Sequence, residues 1–171
     1  MVSDVLPSEA AVRPVALADL PSISNLHART FGPGRFARTA YRIREGTPAI
    51  SPFCRVAVVG HQLVAAVKFT PMVIGGKGAA LLLGPLAVDP AFANRGYGRG
   101  LVAKAIEEAG TAGIALVVLV GDEPYYGRLG FRRIPHGKTT LPGPVDPDRL
   151  LAVELAAGAL EGYAGLVAAA R

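Results

Sequence analysis

Residues Leu83 to Leu101 read LGPLAVDPAFANRGYGRGL, the end of an apolar strand that passes through Asp89 and Pro90 into a loop with glycine at every second position, Gly96, Gly98 and Gly100. Within the strand Ala79 to Val88, Gly84 and Pro85 interrupt the ladder, because proline has no N–H to donate. A bulge is predicted there, splaying the strand from its neighbour. The loop opens a helix expected to begin near Arg99. Glycines at its mouth let backbone N–H groups converge, and the helix N-terminus adds about half a positive charge. An anion site follows. Charge-assisted hydrogen bonds contribute about 1.5 to 3 kcal/mol each, so a few of them hold a pyrophosphate. Three readings compete for such a loop. A dinucleotide fingerprint needs its last glycine one position later, where Leu101 stands, and a P-loop needs a Gly-Lys-Ser/Thr ending that Arg99, Gly100 and Leu101 do not supply. The third is a turn rich in glycine for geometric reasons alone.

Downstream, Leu101, Val102, Ala105, Ile106 and Ala109 form the apolar face of a helix ended near Gly110, and Ile114 to Val120 is a continuously apolar strand. Strand, loop, helix and strand make a βαβ unit, so the two buried strands are predicted to run parallel. Upstream, Val12 to Val15 reads as a short strand, and Asp19, Pro21, Ile23, Leu26 and Phe31 suggest a helix after it. A turn is expected over Phe31 to Gly34, then a second helix over Arg35 to Arg44 with Arg35, Arg38 and Arg42 on one face. Phe53 to Val59 and Leu63 to Ile74 form a hairpin around Gly60, His61 and Gln62, and Gly75 to Gly78 a second turn. After the βαβ unit come a short helix over Pro124 to Leu129, a strand over Phe131 to Ile134, and a last strand over Leu150 to Leu155. The sum is a mixed α/β (α+β) sheet of about six to seven strands flanked by helices.

The 171 residues fit one domain, 1–171, without internal repeat or dividing linker. A domain of that size buries roughly 70% of its unfolded surface, enough for a core without metal or disulfide. Cys54 is the only cysteine, compatible with a reducing compartment. Met1 to Pro7 lacks a basic segment followed by an apolar one, and no apolar run spans a bilayer, so a cytoplasmic protein without membrane attachment is expected. Lysine and arginine number 18 against 13 acidic residues, a formal charge of +5 that favours an anionic ligand. There is neither a block of like charges nor an interleaving of aromatic and basic residues, so no nucleic-acid partner is expected. His27, His61, His136 and Cys54 lack ligand spacing on any one element, so no metal is expected, and no Gly-x-Ser-x-Gly elbow supports a hydrolase triad.

The stretch Leu83 to Leu101 resembles the acetyl-CoA-binding motif of the GCN5-related N-acetyltransferases (GNAT family). The family pattern of Gln or Arg, two residues, Gly, one residue, then Gly or Ala falls on Ala93, Gly96 and Gly98, with Ala93 departing from it. GDEPYYGRLGF, Gly121 to Phe131, is similar to the family's strand end, short helix and Gly-Phe turn. The resemblance covers about residues 12 to 158 in element order and looks strongest to the YhbS-like branch. It implies the GNAT fold and transfer of an acetyl group from acetyl-CoA to an amine acceptor, a small molecule or a protein or peptide. It also implies that Leu86, Ala87, Val88, Ala93, Asn94, Arg95, Gly96, Tyr97, Gly98 and Arg99 bind the co-substrate. Leu86 N–H is implied as the donor to the thioester carbonyl, Val88 as the partner of a pantetheine amide, and Tyr126 as general acid, with Tyr125 its rival. The family's frequent strand glutamate is missing, leaving Asp122, Glu123 and Glu154 as candidate bases acting through water. Arg35, Arg38 and Arg42 fall where the family shapes its acceptor pocket. A rival of another class is a non-catalytic acetyl-CoA sensor. The apolar tail Gly158 to Ala170, with Tyr163, Leu166 and Val167, is expected to pack on a second chain as a homodimer or to complete the pocket.

Overall fold

The computed structural model describes residues 6–31 and 43–170. The turn expected after Phe31 and the arginine face Arg35, Arg38 and Arg42 lie outside the described residues. Strand β1 (Ala10–Pro14) leads through a 3-10 turn into α1 (Leu20–Phe31). The hairpins β2 (Arg55–Val59), β3 (Gln62–Ile74) and β4 (Lys77–Val88) follow, then α2 (Tyr97–Thr111) and β5 (Leu116–Val120). The remainder is α3 (Glu123–Tyr126), β6 (Arg132–Arg133), β7 (Thr139–Thr140), β8 (Leu150–Glu154) and β9 (Gly165–Ala169).

One sheet runs β1-β2-β3-β4-β5-β8-β6, with β9 on β3 and β7 on β9. The β4–β5 pair is parallel, Ala80 to Leu116 through Leu82 to Val118, as the βαβ reading predicts. β4 is apolar from Ala79 onward, and Ala80 to Leu83 are covered on both faces. Leu81 and Leu83 join the core beneath α2, while Ala80 and Leu82 join the core on the opposite face. α2 buries Leu101, Val102, Ala105 and Ala109 of the predicted stripe, with Ile106 partly buried at its edge. No helix among the described residues is long and apolar enough to cross a membrane.

The structure has more strands than the sequence suggests. β8 is not the last, and the tail adds a strand to the chain's own sheet. β9 pairs with Met72 to Ile74 of β3, and Tyr163 and Val167 are buried in the chain's own core, leaving Leu166 exposed. The strand expected over Phe131 to Ile134 is the two-residue β6, whereas β7 is a two-residue strand that no periodicity reveals, and the Gly-Leu-Val-Ala-Ala run of β9 lacks strand alternation.

A paired ion group fastens β1 to the entry of α1. Arg13 donates from Nη1 and Nη2 to the two oxygens of Asp19 at 2.7 and 2.8 Å, and the Ala16 N–H donates to Asp19 Oδ2 at 2.8 Å. The Arg13 guanidinium, more than the backbone donor, holds the Asp19 carboxyl at about 2, below the ordinary value, against the opposing effect of burial. A depressed carboxyl stabilises the fold above the unfolded value near 4, and the contribution disappears as pH falls towards 2. With Arg13 half exposed, the contribution is about 1–2 kcal/mol. Urea midpoints at pH 6 and pH 2.5 should therefore lie closer together in Asp19→Asn than in the wild type. An unchanged pH dependence would remove Asp19 as its source.

Candidate active site

The site begins at the defect in β4. Gly84 holds φ +130°, a value that L side chains rarely adopt, and the Gly84–Pro85 peptide is cis. On the β3 side the ladder skips from Val67–Leu86 to Phe69–Leu83, the predicted bulge. On the β5 side pairing ends at Leu82–Val118. Beyond that point Leu86, Ala87 and Val88 keep β3 but have no β5 partner, so an edge of backbone faces a gap between two strands that begin as neighbours. The Ala87 side chain points away from this edge into the core beneath α1, while Leu86 and Val88 lie beside the start of α2.

The loop is built by its backbone. Asp89 Oδ1 accepts from the Ala91 N–H at 2.9 Å to cap a turn, and Oδ2 pairs with Arg29 at 3.1 Å. Ala93 is extended, Asn94 takes φ +62°, and Gly96 takes φ +86° as the N-cap of α2 without a side-chain cap. The first-turn N–H groups of Tyr97, Gly98 and Arg99 therefore lack intrahelical acceptors and point outward with the helix dipole. Two glycines are fixed by steric demand. A Cβ at Gly98 would lie 2.5 Å from the Tyr125 hydroxyl and 3.1 Å from Val88 Cγ2. A Cβ at Gly100 would lie 2.9 Å from the backbone nitrogen of Leu6, so this glycine admits the N-terminal segment rather than a ligand.

Of the loop side chains, Arg95 lies 5.6 Å over the Phe92 ring and Arg99 5.6 Å over the Tyr125 ring. The Tyr97 side chain is not part of the site surface. Its ring is buried, edge-on to Phe92, and its hydroxyl donates to Glu9. Tyr97 thus offers only its backbone to an anion. Tyr97→Phe is expected to shift acetyl-CoA affinity by less than about threefold, because the lost hydrogen bond to the Glu9 carboxylate lies away from the site surface, while lowering the thermal midpoint. Calorimetry that finds a larger loss would place the Tyr97–Glu9 pair in control of the loop.

The two tyrosines of α3 take different positions. Tyr126 packs edge-on to Phe131 at 5.7 Å, and Gly121 leaves room for its ring, since a Cβ there would fall 2.7 Å from Cε2. Tyr125 lies 4.9 Å from Tyr126 and carries its hydroxyl over to Gly98. Burial raises the Tyr125 pKa, with Arg99 acting in the opposite direction. The candidate bases are all engaged locally. Asp122 pairs with Arg149 at 3.3 Å, Glu123 with Arg133 at 3.1 Å, and Glu154 accepts from the Leu160 N–H at 2.8 Å.

On the other face of the sheet a cleft of about 290 Å³ opens between α1 and β3, lined by Val15, Leu20, Ile23, His27, Ala66 and Lys68 among others. Lys68 is half-buried. Burial and then the charge of Arg44 push its pKa below the usual lysine range, with Cys54 opposing. Sequence reasoning passed over Lys68, although a single charge in the apolar run Leu63 to Ile74 was a visible signal.

Comparison with known proteins gives consistent matches. The family model described as "Acetyltransferase (GNAT) domain" matches residues 11–134. The uncharacterized N-acetyltransferase YhbS of Escherichia coli K12 is 29% identical over 154 residues, 87% of this chain and 89% of that protein. The crystal structure of E. coli YhbS in complex with CoA superposes with a TM-score of 0.81, covering 97% of this chain and 93% of that one. A Brucella melitensis GNAT acetyltransferase in complex with acetyl-CoA, 25% identical, superposes with a TM-score of 0.62 over 84% of this chain and 94% of that one.

Proposed function

The chain belongs to the GNAT acetyltransferase family and is an acyltransferase, and from that premise we propose that it transfers an acetyl group from acetyl-CoA to an amine in one ternary complex. The observation that carries this reading is the parting of β4 from β5 beyond Leu82, directly beside the uncapped N-terminus of α2. A backbone edge and a set of converging N–H groups meet there, and the lack of a side chain at Gly98 lets Val88 and the Tyr125 hydroxyl close in beside them. These groups fit a long ligand with a diphosphate at one end and amides along its arm. The relatives solved with CoA and acetyl-CoA support the same choice.

In this reading the N–H groups of Gly96 to Arg99 hold the diphosphate, assisted by Arg95 and Arg99. Val88 pairs with an amide of the arm. Bound acetyl-CoA supplies a thioester whose carbonyl carbon accepts the amine. Leu86 N–H donates to the carbonyl oxygen as negative charge grows on it, the kind of contact whose removal costs about 10²–10³ in turnover. A carbon–nitrogen bond forms, the carbon–sulfur bond breaks, and Tyr126 gives its phenolic proton to the departing sulfur. The amine releases its own proton to solvent, which restores Tyr126. We place this activity in the cytoplasm, in one domain.

The test is release of free CoA thiol from acetyl-CoA across an amine panel, beside calorimetric acetyl-CoA binding. Thiol release that requires an amine supports transfer. Tight binding with no release for any amine would make the protein a sensor of acetyl-CoA instead.

A further inference from the structure

Lys68 stands where the sheet is broken. The β3–β4 register skips it, so it lies across from Gly84 and Pro85, one residue from the Val67–Leu86 pair. Ala66 belongs to the core beneath α1, whereas Val67 and Phe69 belong to the core beneath α2. Strand alternation therefore puts Lys68 on the α1 face, opposite the side where Val88 and Gly98 meet. A cation there does not serve the diphosphate end of the site. Among the described residues nothing neutralises it, since Lys68 makes no hydrogen bond or ion pair there. Arg44 adds charge at the same point, its Nη1 4.0 Å from where a Gly84 Cβ would be.

The sequence sharpens the imbalance. Between Leu20 and Val88 there are eight lysines and arginines and one acidic residue, the exposed Glu45; of the eight, Arg29 and Arg55 are paired, with Asp89 and Glu108. A half-buried ammonium without a counter-charge is unfavourable, and an anion entering the cleft relieves it. The rest of the cleft is mainly apolar, with Val15, Leu20, Ile23 and Ala66 in its wall. At about 290 Å³ it lies at the small end of ligand sites. Two residues further along the same face, the Thr70 hydroxyl is buried without a hydrogen-bond partner and lines a neighbouring cavity of about 180 Å³. A lysine point charge in such a wall suffices for a carboxylate.

We propose that this cleft is the acceptor subsite and that it selects a small amine bearing a carboxylate and an apolar side chain, with Lys68 pairing the carboxylate. The inference rests on the acetyltransferase reading above. Lys68 is a specificity residue here, holding the acceptor so that its amine meets the β4 break.

Matched acceptors test it: leucine and phenylalanine against leucinamide, phenylalaninamide, isoamylamine and phenethylamine, each followed by free CoA thiol. The carboxylates should exceed their neutral counterparts at least about tenfold in kcat/KM, the worth of one charge-assisted hydrogen bond. Lys68→Met should collapse that ratio through KM, and Lys68→Arg should keep part of it. Calorimetric acetyl-CoA titration of each variant reports on the co-substrate site separately, so lost acetyl-CoA binding in the wild type counts against the family-based mechanism, not against this subsite. Neutral amines reacting as well as the carboxylates would overturn the proposal. So would a ratio unchanged in Lys68→Met, or no reaction of either amino acid in a protein that binds acetyl-CoA normally.

Discussion

Tyr126→Phe is expected to lower turnover about 10²-fold or more while acetyl-CoA affinity stays nearly intact, the range for loss of a positioned general acid. The ring should keep its place in the variant, because its packing against Phe131 and Tyr125 and over Gly121 is retained by a phenylalanine. A change confined to kcat separates proton delivery from binding. Tyr125→Phe provides the contrast. Its hydroxyl reaches Gly98 and its ring lies beneath Arg99, so its loss should act on KM for acetyl-CoA more than on kcat. The pH profile adds a second readout, since the alkaline limb that reports a phenol should disappear from kcat in Tyr126→Phe and persist in Tyr125→Phe. If the two variants exchange these behaviours, Tyr125 is the acid and Tyr126 a packing residue.

That contrast marks the boundary of what the sequence can tell. Neighbouring residues on a helix point about 100° apart, and no pattern in a four-residue helix indicates which of them faces the cleft. The break in β4 is different, because a proline in a buried strand has only local solutions, and Gly84 with Pro85 leaves the β3 ladder where expected. The glycine-rich turn into a helix was equally legible, although α2 begins at Tyr97, two residues before the expected Arg99, because Gly96 in the left-handed region serves as N-cap. What local reasoning missed was long-range. Gly100 is small because Leu6 crosses it, and Tyr97 is held by Glu9, contacts that link residues about ninety positions apart. The acceptor cleft was missed for the same reason, as α1 and Lys68 become neighbours only once the sheet has formed.

Gly98→Val is expected to weaken acetyl-CoA binding about 10²-fold, equivalent to losing one or two charge-assisted hydrogen bonds. The cause is steric and can be divided. A Cβ at position 98 meets the Tyr125 hydroxyl at 2.5 Å, the far end of a side chain that can swing, and Val88 Cγ2 at 3.1 Å, a branched group on a paired strand that yields much less. Tyr125 can move only by giving up its place beside Arg99, and otherwise the first turn of α2 must shift and turn its N–H groups away from their common focus. Alanine and valine should therefore respond differently to a second change. In Gly98→Ala the main conflict is with the hydroxyl, so adding Tyr125→Phe should restore much of the affinity. In Gly98→Val the added methyl groups still face Val88, and the same second change should restore little. Equal rescue in both backgrounds would mean that the hydroxyl alone sets the width of the groove. No loss in either single variant, with thermal midpoints near wild type, would mean that the diphosphate is held elsewhere than at the start of α2.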